Sequence, residues 1–213
     1  MLLANGSPAE KLALKRLGLS QAGAGRKPSA QARPTRTPVR FGYVGRIHPS
    51  KGLTELARAV SRIPGAPLQL EIRGPVNDRF TRDYADSLRS MLAIDQRVAF
   101  LPSVPVADVP NVLAGLDALV IPSTWFENGP TIALESLAVG TPIVASRVGN
   151  LTEIIEDGVT GALVDPCDSD ALAAALDRIA ANPAVTIDAW RSRLPLPRTM
   201  DDVANDYLSM YAA

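Results

Sequence analysis

Residues 127–135 read ENGPTIALE and set two carboxylates, Glu127 and Glu135, on either side of a helix start. Acids at such a place have two uses. One is a capped helix with an acid in its opening turns. The other is a pair of hydroxyl acceptors beside a phosphate site, because a helix amino end offers free N–H groups and the positive end of a dipole. A second set lies in VGRIHPSKG, residues 44–52. Arg46 offers phosphate oxygens a bidentate fork, and Lys51 a mobile point charge. The two cations together suit a diphosphate and would neutralise charge on a departing one. Their bland reading is a pair of solvated loop charges.

The other reactive side chains carry less. His48 is the only histidine and has no acidic orienter nearby in the sequence, which makes it a loop residue rather than a base. Cys167 is the only cysteine, so the chain forms no internal disulfide, and a reducing, cytoplasmic setting is expected. With no base in sight it reads as a lone surface thiol. Lys+Arg and Asp+Glu both number 22, a balance that gives no sign of a nucleic-acid partner. Apolar runs break within about ten residues, short of the ~20 that span a bilayer. No cofactor and no metal are expected. A G-x-G-x-x-G turn, an acid placed for a ribose after the second strand and a G-x-x-x-x-G-K-[ST] loop are all missing, which disfavours a nicotinamide site or that phosphate loop.

The elements that must position these residues alternate. VRFGYV (39–44), LQLEIRG (68–74), RVAFL (97–101), DALVIP (117–122), PIVAS (142–146) and GALV (161–164) read as strands. Helical patterns fall at 53–63, 81–93, 106–115, after Gly129, near 150–156 and at 169–182, with more helix to the end. Strand and helix alternating in this way predict an α/β, Rossmann-like parallel sheet of about six strands with helices on both faces. Ligands of such sheets sit at the carboxyl ends of the strands, where strand order reverses. Gly45 would turn the chain sharply after strand one. Pro130 would open the helix at its first position, capped by Asn128 or Gly129. Residues 8–18 suggest a short helix, and 20–38, rich in Pro, Gly and basic residues, a linker. Three regions follow: an N-terminal segment and linker (1–38), the Rossmann-like domain (39–182) and a helical extension (183–213).

The segment from Glu127 to Ser146 resembles the E-x7-E signature of the retaining GT-B glycosyltransferases, the group 1 family. Glu127, Asn128, Pro130, Leu134, Glu135, Ala138, Gly140 and Pro142 fall in register with it. Gly45, Arg46, Lys51 and Gly52 match the family's G-R-x-x-x-x-K-G element, and residues 149–168 resemble the stretch after the signature. Two departures stand out: Ser136 where Ala is usual, and EIRGP around Gly74 in place of A-G-x-G-P.

The resemblance implies the C-terminal, donor-binding half of a GT-B fold acting on a UDP- or GDP-linked sugar. Gly45, Arg46 and Lys51 would meet the diphosphate, helped by backbone amides near Gly129 to Ile132, a stretch that holds Pro130, which has no N–H, and Thr131. Glu135 would accept from the ribose, and Glu127, with Asn128 beside it, from the transferred hexose. The base would lie near Val104. Arg46, Lys51 and Glu127 would be the catalytic set, with no metal and no enzymatic nucleophile, because the leaving phosphate helps deprotonate the acceptor. The implied partner is an N-terminal Rossmann-like domain carrying the acceptor site and any peripheral membrane contact. The chain begins too close to the donor domain to hold that partner, and is expected to be inactive alone. The final helix, from Met200, resembles the one that packs back on that domain. Two other functions fit the same residues: a non-catalytic nucleotide-sugar binding module, and half of a nucleotide-sugar epimerase.

Overall fold

The structure is a computed structural model describing residues 5–13, 15–19 and 37–212. Six parallel strands form one sheet: β1 (Val39–Val44), β2 (Leu68–Arg73), β3 (Val98–Leu101), β4 (Ala118–Ile121), β5 (Ile143–Ser146) and β6 (Gly161–Val164). Their order is β3-β2-β1-β4-β5-β6, so the winding reverses between β1 and β4. Phe41 pairs with Ala118 and Gly42 with Leu119 across that junction. The connecting helices are α1 (Leu53–Arg62), α2 (Arg79–Met91), α3 (Val109–Gly115), α4 (Thr131–Ala138), α5 (Leu151–Ile154) and α6 (Ser169–Ala181). After α6 come a π-helical turn (Ala184–Asp188), the short α7 (Ala189–Arg191) and α8 (Met200–Tyr211).

Two cores flank the sheet. On one face α1, α2 and α6 cover Phe41, Leu68, Leu70 and Ile72, and Trp190 closes the same cluster from α7. On the other, α3, α4 and α5 cover Leu119, Ile121, Ile143 and Ala145. β4 and β5 are buried at every position, as central strands covered on both faces must be. β2 instead alternates: Leu68, Leu70 and Ile72 are buried, while Gln69, Glu71 and Arg73 are exposed or half-buried. Arg73 ends that polar row at the carboxyl edge of the sheet.

Several local expectations are corrected. Residues 8–18 hold only one 3-10 turn, Ala9–Lys11, and the described residues beyond it are not helical. Leu19 bonds instead with the segment before α8: its N–H donates to the Arg198 carbonyl, and its own carbonyl accepts from the Met200 N–H. A helix this short has little stability of its own, and tertiary pairing outweighs it. α2 starts two residues before the predicted 81, because Asp78 and Thr81 form a capping box there. Pro130 is itself the cap of α4, without a side-chain cap bond, and Thr131 is the first helical residue. Gly45 is nearly extended at φ 159°, and the left-handed residue of that loop is Gly52 at φ 71°. Of the expected 20–38 linker, residues 20–36 lie outside the described residues.

Candidate functional site

A crevice of about 500 Å³ opens at the carboxyl ends of β1 and β4, where the strand order reverses. One wall is the loop after β1, with Gly45, Arg46 and Lys51. The facing wall is Glu127, Gly129 and the amino end of α4 through Pro130, Thr131, Ile132 and Glu135. The far end holds Arg73, Ser103 and Val104. The predicted site residues therefore come together, with one exception. Asn128 does not line the crevice; it is exposed, and its carbonyl accepts from Asn150 Nδ2 at 2.5 Å.

The β1 loop is held in place by its neighbours. Tyr43, buried on β1, donates its hydroxyl to the Arg46 carbonyl at 2.6 Å, and burial pushes that phenol above its ordinary pKa. His48 accepts from the Ser50 N–H through Nδ1 and caps the turn Pro49–Lys51, a structural role consistent with its sequence reading. Gly52 then packs so closely that a Cβ would sit 1.7 Å from the Pro122 carbonyl oxygen. Only glycine fits both this contact and the left-handed backbone. The close approach brings Lys51 to the end of β4.

Lys51 is not free in the crevice. Its Nζ lies 2.6 Å from Glu127 Oε1, and the buried Ser123 donates its hydroxyl to the same oxygen at 2.5 Å. Glu127 thus has both a charge partner and a neutral donor, as a largely buried carboxylate requires. Its loop is pinned as well. The Asn150 N–H donates to the Glu127 carbonyl at 2.8 Å, and Thr124 N–H donates to the Ser50 carbonyl at 3.0 Å. Arg46, by contrast, pairs with no carboxylate among the described residues, so its guanidinium is available to an anion.

Glu135 lies half-buried in the second turn of α4, on the crevice side. Its carboxyl group has no hydrogen-bond partner among the described residues, and desolvation lifts it above the usual range. A carboxylate left in this state suits hydroxyl donors. At the amino end of α4 the Ala133 N–H donates to the Pro130 carbonyl at 2.9 Å, while Thr131 and Ile132, whose amides precede the first intrahelical bond, line the same space. Ser136, the departure from the usual Ala, is buried and donates to the Thr141 carbonyl at 2.8 Å, tying the end of α4 to the start of β5. Ser123, Tyr43, Asn150 and Arg73 were not marked by the sequence. Of these Asn150 lay in the stretch after the signature, and Arg73 in the EIRGP departure around Gly74. Among the described residues no three His, Cys, Asp or Glu side chains cluster as metal ligands would, and no helix is long and apolar enough to cross a membrane.

The chain is similar to known proteins. The family profile described as Glycosyl transferases group 1 matches residues 27–193. A D-inositol 3-phosphate glycosyltransferase of Mycobacterium marinum is 37% identical over 152 residues, which is 71% of this chain and 32% of that protein. The chain thus spans about a third of the length of the curated relatives it matches. Among solved structures, HepE of Anabaena in complex with UDP and glucose shares the fold, with a TM-score of 0.79 at 21% identity over 99% of this chain and 60% of that one. The C-terminal domain of a group 1 glycosyl transferase from Francisella tularensis aligns with a TM-score of 0.63 at 23% identity. That alignment covers 79% of this chain and 86% of that domain.

Proposed function

We propose, for a chain that belongs to the group 1 glycosyl transferases, that its crevice binds the nucleoside diphosphate part of a UDP- or GDP-linked sugar and presents the hexose for transfer. The observation that carries this reading is the arrangement of charge around one cavity. Arg46 and Lys51 stand on one wall, the α4 amino end on the other, and the carboxylates Glu127 and Glu135 flank it. Structural relatives solved with UDP and with UDP-glucose support the ligand class.

The residues divide the work. Arg46 and Lys51 bind the two phosphates and neutralise the charge that grows on them as the glycosidic bond breaks. The α4 amides hold the same group from the other side. Glu135 accepts from the ribose, and Glu127 accepts from a hydroxyl of the hexose. No side chain here acts as a nucleophile. The departing phosphate oxygen takes the acceptor's proton on the face it leaves, so configuration is retained. Lys51, with three N–H donors, reaches the diphosphate while keeping one bond to Glu127, which couples leaving-group charge to sugar position. Binding needs no metal ion in this reading.

The acceptor surface belongs to residues that the longer relatives carry outside the matched third. Positioning donor against acceptor is worth up to ~7–11 kcal/mol, so these 213 residues alone transfer no sugar. The test is transfer from a panel of UDP- and GDP-hexoses by this chain alone and by the same chain joined to the acceptor-side half of a relative. Transfer only in the joined protein, with the product anomer matching the donor by NMR, is expected. Robust transfer by the chain alone, or inversion, overturns the reading.

A further inference from the structure

Among the charged side chains that line the crevice, Arg73 is the one that the family pattern does not supply. It occupies the variable position of the A-G-x-G-P element, at the last residue of β2. The alternation of β2 puts it on the sheet's polar row, beside Glu71. From there it reaches the far end of the crevice, with Ser103 and Val104.

Its guanidinium is oriented before any ligand arrives. Nε and Nη2 donate to Glu71 Oε2 at 3.3 and 3.2 Å, and Nη1 lies 3.4 Å from the Pro102 carbonyl. Glu71 is itself fixed by Arg40, whose Nη2 lies 2.5 Å from its other oxygen. Arg40 on β1, Glu71 and Arg73 therefore form one chain of paired charges across two strands. The side chain of Arg73 is only 20% exposed, so the fork is held rather than solvated. One N–H on each terminal nitrogen has no acceptor among the described residues. Arg73 lines the crevice.

We propose that Arg73 selects the base of the nucleotide, favouring one that presents an exocyclic carbonyl, a 4-oxopyrimidine or a 6-oxopurine. Guanidinium donates only. Uracil offers O4 and guanine O6 beside N7, all acceptors, whereas cytosine and adenine carry an amino donor in place of that exocyclic carbonyl, adenine keeping only N7. Donor facing donor leaves both groups unpaired in a partly dry site, and the mismatch costs affinity. The preference is therefore set as much by rejection of amino bases as by attraction to keto bases. This inference rests on the nucleoside diphosphate reading of the crevice and adds to it the residue that selects the base.

The experiment is calorimetric titration of the wild-type chain and Arg73→Met with UDP, GDP, CDP and ADP. In the wild type, UDP or GDP binds at least tenfold tighter than CDP and ADP; which of the two leads identifies the ring. In Arg73→Met the spread falls below about threefold, through loss of the keto bases' advantage, while CDP affinity holds. A variant that keeps the wild-type spread overturns the proposal, as does one that weakens all four alike, which is the mark of a general electrostatic role. Glu71 keeps Arg40 as partner in Arg73→Met. Should that variant still unfold, Arg73→Lys, which keeps the charge but not the fork, is read by the same criterion. If the wild type binds all four equally, this inference alone fails. If it binds none, the crevice reading fails and takes this inference with it.

Discussion

Replacing Lys51 by methionine separates two roles that the structure gives to one side chain. Lys51 would hold the diphosphate, and it already neutralises Glu127 at 2.6 Å. The pair is 27% and 13% exposed at its two side chains, so it is neither a surface pair nor a fully buried one. Exposed pairs are worth about 0.2–1 kcal/mol, and breaking a buried one costs about 3–5 kcal/mol. An intermediate loss of about 1–3 kcal/mol is expected for Lys51→Met, because Glu127 keeps only the Ser123 hydroxyl. In a domain of this size that lowers Tm by about 2–10 °C. Nucleoside diphosphate affinity falls as well, by about tenfold or more, through a lost charge-assisted bond of ~1.5–3 kcal/mol. Adding Glu127→Gln removes the stranded charge. The double variant should regain most of the lost stability and none of the lost affinity for UDP or GDP. Thermal unfolding and calorimetry read the two effects apart. An unchanged Tm in Lys51→Met, or affinity restored in the double variant, would refute the reasoning.

Arg46→Ala removes a cation with no carboxylate partner, so calorimetry should show UDP or GDP binding weakened by about 10- to 150-fold, from ~1.5–3 kcal/mol, at an unchanged Tm. Glu135→Gln should shrink the penalty for a 2′-deoxyribose, which in the wild type is about 1–3 kcal/mol, as measured with paired ribo and deoxyribo diphosphates. Burial raises the Glu135 pKa in the fold. Its contribution to stability is therefore complete below the unfolded pKa and lost as pH rises through the folded one. Glu135→Gln should accordingly raise Tm at neutral pH, a gain that disappears on acidification below the ordinary glutamate range. Gly52→Ala forces a side chain into a left-handed position at φ 71° and against the Pro122 carbonyl. It should cost at least about 1–2 kcal/mol in a denaturant titration and weaken diphosphate binding through the displaced Lys51.

The sheet was legible because its central strands are short apolar runs and its helices carry a clear period. Strands 39–44 and 161–164 fall where their residues place them. The segment 8–18 was misread because its fate is decided by the backbone of residues 198–200, far away in sequence. The site divides in the same way. Arg46, Lys51, Glu127 and Glu135 sit in recognisable motifs, and the crevice joins them. The bond between Lys51 and Glu127 spans 76 residues, and the pinning of Glu127 by Asn150 depends on β4 and β5 lying side by side. Nothing local announces either. Arg73 lies in the EIRGP departure from the family pattern, and only the charge chain through Glu71 to Arg40 shows how it is held.

The central claim is that the crevice between β1 and β4 takes the nucleoside diphosphate, without a metal ion. Amide chemical-shift mapping of the labelled chain with UDP and GDP, in the presence of a chelator, tests it most directly. The account predicts perturbations concentrated at Gly45, Arg46, Thr131 and Ile132, which line the crevice, with none at Arg16 or Arg198, which line a neighbouring cleft that meets it at Gly129. Shifts that cluster elsewhere, or that appear only when a divalent cation replaces the chelator, would contradict it.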